Sequence, residues 1–153
     1  TVYGLAGDAT SESACNKIYE TKQRPFHNPL IIHVANLEEA KKYGSFNNDA
    51  LEIAVNFWPG PITLIVPKCS SEICQTATSN LDTIALRVPA NNIILDLITN
   101  TQKPLAAPSA NQSTRISPTS AEHVNKSFMN KVPIIDGGKT LYGIESTIID
   151  CTT

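Results

Sequence analysis

The stretch that decides the fold is "TIALRVP", residues 83–89, an apolar run that surrounds a single cation. Its period of two places Leu86 on one face and Arg87 on the other, which predicts a strand that ends at a proline. Two runs of the same kind are "LIIHV" at 30–34 and "ITLIVP" at 62–67. We expect these three segments to form the centre of one sheet.

Helical segments alternate with the strands. Each is marked by apolar spacing or by a cap, as in "NLEEAKKYG", where Asn36 is an N-cap, Glu39 completes a capping box and Gly44 ends the helix. In the last helix we expect Ser117 to be the N-cap and Pro118 the first helical residue. The predicted helices cover 11–22, 36–43, 47–57, 91–99 and 117–128.

Further strands are predicted at the end of "TVYGLAG", in "PLAAPSAN" before its loop, in "VPIID" and in "ESTIID". Alternating strands and helices predict an α/β domain on a mixed, twisted sheet. Several helices are too short for the regular crossovers of a doubly wound fold. We expect residues 1–153 to form a single domain, and because the chain opens at Thr1 inside what looks like a strand, we interpret it as a piece whose first strand and C-terminal end are missing.

Composition excludes several functional classes. The chain carries 12 basic and 14 acidic residues, a net charge of −2, so no general field attracts nucleic acid or anionic membrane. No apolar run is long enough to span a bilayer. Any anion site must therefore be local, and we expect a cytoplasmic protein with no membrane contact.

The four cysteines do not have the spacing of a zinc site, and we expect no protein metal centre. A disulfide between Cys69 and Cys74 is conceivable, but reduced thiols fit a cytosolic protein better.

The segment "KQRPFHNP", residues 22–29, places Lys22 and Arg24 two positions apart between a helix end and two prolines. Preorganised lysine and arginine side chains suit phosphate oxygens. The alternative is a helix C-terminus that uses cations to offset its dipole. Spacing alone does not separate these two interpretations.

Two other places follow strand ends, where α/β sheets bind ligands. Arg87 on an apolar strand is costly unless it meets an anion, either a ligand or a structural carboxylate partner. The loop "APSANQSTRISPT" offers Ser109, Asn111 and Ser117 as neutral hydrogen-bonding groups, although such loops are more often plain turns.

Other features carry less information. "DGGK" at 136–139 is more typical of a turn than of a phosphate loop. His33 fits a core position and His123 a helix surface. Thr1 could act as an N-terminal nucleophile, but a truncated chain explains it better.

Together, "KIYETKQRPFHNPLIIHV", "FWPGPITLIVP", "LDTIALRVP", "PLAAPSAN" and "GIESTIID" resemble the YrdC/Sua5 family of threonylcarbamoyl-AMP synthases over nearly the whole chain. The resemblance implies an open, twisted α/β sheet around a concave ligand cavity. It assigns ATP binding to Lys22, Arg24, Asn28, Thr83, Ser109, Asn111 and Ser117, with Lys22 and Arg24 as the catalytic cations. It assigns threonine binding to Thr1, His33, Arg87 and Ser146.

The implied reaction joins L-threonine, bicarbonate (or CO2) and ATP into L-threonylcarbamoyladenylate with release of pyrophosphate. Mg²⁺ would accompany ATP, and the product would feed the N6-threonylcarbamoyl modification of adenosine 37 in tRNA. Partners would then include tRNA and the threonylcarbamoyl-transfer proteins. Two alternatives remain open at this point, namely an RNA-binding module and a non-catalytic sensor of nucleotide or threonine.

Overall fold

A six-stranded sheet with five helices forms the computed structural model, which describes residues 1–153. The strands are β1 (Gly7–Asp8), β2 (Ile31–His33), β3 (Ile62–Pro67), β4 (Thr83–Arg87), β5 (Leu105–Ala106) and β6 (Thr147–Asp150). The helices are α1 (Glu12–Lys22), α2 (Leu37–Tyr43), α3 (Asn48–Phe57), α4 (Asn92–Thr101) and α5 (Ala121–Phe128). These elements confirm the predicted α/β fold.

The sheet is open and mixed. Its strands lie in the order β1-β5-β2-β4-β3-β6. Strand β4 runs parallel to β2 and antiparallel to β3, while β6 is parallel to β3 and β5 is antiparallel to both of its neighbours. Antiparallel pairs on both sides of the parallel β2–β4 pair distinguish this sheet from a doubly wound parallel sheet.

The two faces of the central strands differ in polarity. Ile32, Leu64 and Leu86 are in register across β2, β3 and β4, and all three are fully buried in a core of 21 residues. Burying each such side chain contributes about 1.5–3 kcal/mol. Because side chains alternate along a strand, the residues next to them point to the other face, and these include Arg87 and His33.

Asparagine and serine caps fix where the helices begin, largely as predicted. Asn36 accepts a hydrogen bond from the Glu39 N–H (2.9 Å), and Gly44 ends α2. The Glu39 carboxylate reaches one residue beyond the cap and accepts from the Ala35 N–H (3.1 Å). These local bonds satisfy donors that the first turn of a helix leaves free.

The predicted start of α5 is wrong. The helix begins at Ala121, and its N-cap is Ser120, which accepts from the His123 N–H (3.3 Å). Ser117 lies outside the helix because its hydroxyl donates to Glu145, and the carbonyl of Pro118 accepts from the Tyr3 N–H. Long-range contacts therefore hold 117–118 away from the helix.

Two predicted strands are wrong or much shorter. The segment 132–136 has no strand, and its Pro133 lacks the N–H that a sheet ladder needs. At the start of the chain, Gly4 makes only an isolated bridge to Ser109 before the two-residue β1.

All four cysteines are free, and three of them are buried, so the Cys69–Cys74 disulfide is not formed. None of the helices has both the length and the apolar character needed to cross a membrane.

Gly44 packs directly against the sheet, and we expect Gly44→Ala to destabilise the fold by about 1–3 kcal/mol through overpacking. A Cβ at this position would collide with Val66 and lie 2.9 Å from Leu86 Cδ1. Gly137→Ala is the control, because its nearest neighbour would be Ile93 Cδ1 at 3.4 Å on an exposed loop. Urea unfolding measures both free energies, and equal midpoints for the two variants would contradict the prediction.

Candidate functional site

Most of the buried polar side chains are predicted site residues or contact one. The core contains six buried polar or charged residues, namely Lys22, His33, Thr63, Thr78, Arg87 and Asn111. Four of them are predicted site residues, and a fifth, Thr63, contacts Ser146, which was also predicted. Burying polar groups is costly, so this overlap supports a candidate site more firmly than any single residue does.

Lys22 is held in the interior at the end of α1. Its Nζ donates to the backbone carbonyls of Ser109 and Asn111, and the residue is only 1% exposed. The end of α1 is closed instead by the backbone, where the Arg24 N–H donates to the Tyr19 carbonyl (2.9 Å). Lys22 thus joins α1 to the loop after β5, and the alternative of a solvated dipole partner does not describe it.

Burial also weakens the charge of Lys22. Desolvation, and to a lesser degree the nearby Arg24, lowers the pKa of the Lys22 ammonium to about 8, while Glu145 acts in the opposite direction. An ammonium has three N–H donors, and the two carbonyls use two of them. One donor is left for an anionic ligand.

Arg24 fixes the loop that follows α1. Its Nε donates to the carbonyl of Asn28 (3.0 Å) and its Nη2 to that of Pro29 (2.9 Å). No carboxylate lies within 4.0 Å of this guanidinium, since the ion pairs of the protein are Lys41–Glu38 and Lys103–Asp8. The side chain of Asn28 is exposed and makes no hydrogen bond, so this residue is anchored through its backbone.

The loop after β5 uses most of its polar groups internally. The Asn111 amide donates to the carbonyls of Gln112 (3.0 Å) and Arg115 (2.5 Å), and its Oδ1 is buried without a partner. The hydroxyl of Ser109 is half-buried and free. Asn111 can therefore accept a hydrogen bond from a ligand but has no N–H left to give to a phosphate.

Glu145 is a feature that the sequence analysis missed. Its carboxylate accepts a hydrogen bond from the Ser117 hydroxyl (2.6 Å), and its charge partly opposes the desolvation that lowers the pKa of Lys22 and of Arg24. The available signal was its position beside Ser146 in the "ESTIID" segment. Glu145 thus places a negative charge at the edge of the cationic cluster.

Arg87 is buried on β4 without a counter-ion. Its Nε donates to the carbonyl of Gly60 (2.9 Å) and its Nη1 to the Thr1 hydroxyl (3.2 Å). Neither ion pair of the protein includes Arg87, so the structural salt bridge considered as an alternative is absent. An arginine remains charged even when burial lowers its pKa, and this one lacks an anion.

His33 lies beside Arg87, since the two residues are paired in the parallel register of β2 and β4. Burial, and then the charge of Arg87, lowers the pKa of His33 to about 4. Its Nδ1 is buried without a partner. His33 is therefore a neutral hydrogen-bonding group at neutral pH.

Ser146 precedes β6 and shares a 2.7 Å hydrogen bond with the hydroxyl of Thr63 on β3. Thr63 was not predicted, although a threonine inside the apolar run "ITLIVP" was visible in the sequence. The bond brings Ser146 to the same face of the sheet as Arg87.

The first five residues connect the loop that Lys22 holds to Arg87. The Ala110 N–H donates to the Tyr3 carbonyl (2.7 Å), and the Leu5 N–H donates to that of Pro108 (2.9 Å). Thr1, which contacts Arg87, is thus tied to the loop that Lys22 holds. Thr83 is at the start of β4, four residues before Arg87 and therefore roughly 13 Å from it along the strand.

Two other features are separate from this cluster. A cavity of about 270 Å³ beside α2 is lined by Glu39, Lys42 and six other residues, none of them a predicted site residue. The "DGGK" segment is a turn, as predicted, in which Asp136 accepts hydrogen bonds from the Gly138 N–H and the Tyr3 hydroxyl, both at 2.9 Å. The predicted site residues therefore coincide with the unpaired buried charge and not with this cavity.

The Sua5/YciO/YrdC family model, described as telomere recombination, matches residues 1–153. The chain belongs to this family. A threonylcarbamoyl-AMP synthase of Pyrococcus abyssi is 49% identical over 99% of this chain and 45% of its own length. One of Bacillus subtilis is 42% identical over 99% of this chain and 44% of its own.

The family fold is confirmed by a solved structure. The crystal structure of P. abyssi Sua5 complexed with L-threonine matches 98% of this Sua5/YciO/YrdC chain and 44% of the solved one, with 49% identity and a TM-score of 0.94. The chain spans somewhat less than half the length of these relatives.

We expect affinity for ATP to fall as pH rises through about 8, because Lys22 then loses its charge. Below this pH the ammonium attracts phosphate, and above it the neutral amine does not. Bound phosphate stabilises the ammonium and raises the pKa of Lys22 in the complex, so the affinity falls between the pKa of the free protein and that of the complex.

Calorimetry with ATP between pH 7.5 and 9.5 measures this dependence. Lys22→Met is the matched variant, since it keeps the length of the side chain without a titrating group. It should bind ATP weakly and with little dependence on pH. The same slope in both proteins would exclude Lys22 as the source.

Proposed function

We propose that the intact protein is a threonylcarbamoyl-AMP synthase, a nucleotidyltransferase that makes L-threonylcarbamoyladenylate from L-threonine, bicarbonate or CO2, and ATP. The observation that carries this proposal is a set of three buried or half-buried cations, Lys22, Arg24 and Arg87, none of which has a carboxylate within ion-pairing distance. Uncompensated buried charge is costly, and an anionic ligand offsets that cost.

The nucleotide side is assigned to Lys22 and Arg24. Both side chains are fixed by backbone carbonyls, so little conformational entropy is lost when phosphate binds. The free Oδ1 of Asn111 is suited to a ribose hydroxyl or a base amino group, and the Ser109 hydroxyl can donate to phosphate.

The amino-acid side is assigned to Arg87, with Thr1, His33 and Ser146 as its polar neighbours. A guanidinium offers a two-pronged match to a carboxylate. The solved relative from P. abyssi was crystallised with L-threonine, and its identity of 49% supports the transfer of this ligand to the present chain.

The proposed chemistry needs no protein nucleophile. The threonine amine adds to CO2 and loses a proton to give a carbamate. A carbamate oxygen then attacks the α-phosphorus of ATP, and the bond to the β-phosphate bridge oxygen breaks as pyrophosphate leaves. Fixed cations stabilise the developing phosphoryl charge, and the two half-sites hold the reactants together.

Mg²⁺ is proposed as the companion of ATP, in which role it neutralises phosphate charge. The protein has no cluster of three or more metal-ligating side chains, which favours coordination by phosphates and water. We further propose that the product serves tRNA N6-threonylcarbamoylation in the cytoplasm, with tRNA and the transfer proteins as partners of the later steps.

The decisive experiment measures pyrophosphate release by the intact protein. We expect release only when ATP, threonine and bicarbonate are all present. Arg24→Ala should lower ATP affinity by about 10- to 150-fold, since a charge-assisted hydrogen bond contributes about 1.5–3 kcal/mol. Lys17→Ala, an exposed change on the same helix, should retain full activity.

The other outcomes assign a different function. Binding of ATP and threonine without pyrophosphate release would make the protein a sensor. Binding of tRNA with a steep dependence on salt, and none of threonine, would make it an RNA module. Wild-type turnover in Arg24→Ala would remove Arg24 from the site.

Selectivity for the amino acid tests the second half of the site. We expect threonine to bind most tightly, serine more weakly and valine not measurably, because a site that hydrogen-bonds a hydroxyl rejects the isostere without one. Calorimetry on the intact protein measures all three. Arg87→Ala should abolish binding of every amino acid and leave the dissociation constant of ATP unchanged. Equal binding of threonine and valine would contradict this assignment.

A further inference from the structure

Thr63 carries a hydroxyl in an otherwise apolar strand. The residue is fully buried, with no measurable exposure, and its Oγ1 makes one hydrogen bond, to Ser146 Oγ at 2.7 Å. The other buried threonine, Thr78, makes no hydrogen bond to a predicted site residue; it accepts from Lys68 Nζ (3.2 Å) and donates to the Gln75 carbonyl (3.3 Å). A buried hydroxyl with a single polar partner must form a hydrogen bond with that partner, because an unpaired hydroxyl loses its bonds to water without replacement.

The direction of this hydrogen bond follows from burial. If Ser146 donated, the Thr63 O–H would have no acceptor anywhere in the protein. If Thr63 donates, every group is satisfied, since Ser146 is half-buried and can direct its own O–H outward. Thr63 therefore donates, and Ser146 is left as a donor. Accepting a hydrogen bond also polarises the Ser146 hydroxyl and makes it a stronger donor.

Strand register determines where that donor lies. Leu64 pairs with Leu86 at the end of the antiparallel β3–β4 ladder, and Thr63 and Arg87 are the residues directly beyond that pair, each on the face opposite its neighbour. Ser146 is held beside Thr63 because Ile62 pairs with Thr147, whose N–H donates to the Pro61 carbonyl (3.0 Å).

We propose that Thr63 is a positioning residue for amino-acid binding. It donates to Ser146 and thereby commits the Ser146 proton to a carboxylate oxygen of the substrate, next to the guanidinium of Arg87. This inference rests on the proposed threonine site but adds to it the residue Thr63 and the direction of the Thr63–Ser146 hydrogen bond. Thr63 does not touch the substrate, and its effect passes entirely through Ser146.

The test uses Thr63→Val, which keeps the shape of the side chain and removes only the hydroxyl. We expect the dissociation constant for threonine to rise about tenfold, equivalent to about 1.4 kcal/mol. That for ATP should not change, and kcat at saturating threonine should stay within about twofold. Thr63→Ser restores the donor and should recover most of the threonine affinity.

A double-mutant cycle separates this role from general damage to the fold. The Thr63→Val/Ser146→Ala protein should bind threonine no more weakly than Ser146→Ala alone, because both changes remove the same interaction. Thr78→Val, which removes the other buried threonine hydroxyl, should leave threonine binding unchanged.

Each remaining result overturns the proposal. Wild-type threonine affinity in Thr63→Val, equal weakening of ATP and threonine, or additive losses in the double mutant would exclude the positioning role while the threonine site itself stood. Failure of the wild-type protein to bind threonine would overturn both the site and the role of Thr63.

Discussion

The site depends on the hydrogen bonds that the buried ammonium of Lys22 makes. By donating to the carbonyls of Ser109 and Asn111 it joins the end of α1 to the loop after β5, two segments almost ninety residues apart in sequence. The same bonds place a cation where water is scarce, so its charge acts on an anion with little screening. In the proposed site, one group thus serves both the architecture and the binding of phosphate, and losing it would affect both.

On the proposed amino-acid side, the register of the central strands likewise has two roles. Alternation along β4 gives Leu86 to the core and Arg87 to the opposite face, so the register that packs the core also places His33 and Arg87 side by side as a polar pair. Burial keeps His33 neutral, so Arg87 carries the only positive charge of this pair. Selectivity for one amino acid at the proposed site must then come from neutral hydroxyls and from geometry.

Much of the fold could be predicted from local sequence. The central strands and Asn36 as a cap followed from periodicity and from side-chain bonding within one turn. The start of α5 and the segment 132–136 did not, because Ser117 bonds to Glu145 and the Pro118 carbonyl bonds to Tyr3, contacts that no local pattern specifies. For the site, the resemblance to the family assigned the candidate residues, but it did not include Glu145 or Thr63.

The sequence by itself determined which groups are available: cations beside prolines, an arginine on an apolar strand, and hydroxyls after strand ends. Tertiary structure decided what those groups do. Arg87 is available to an anionic ligand because no carboxylate lies near enough to form an ion pair with it. Ser146 is available as a donor because Thr63 is buried. Both are properties of long-range packing, since desolvation is set by every neighbour in space and not by neighbours along the chain.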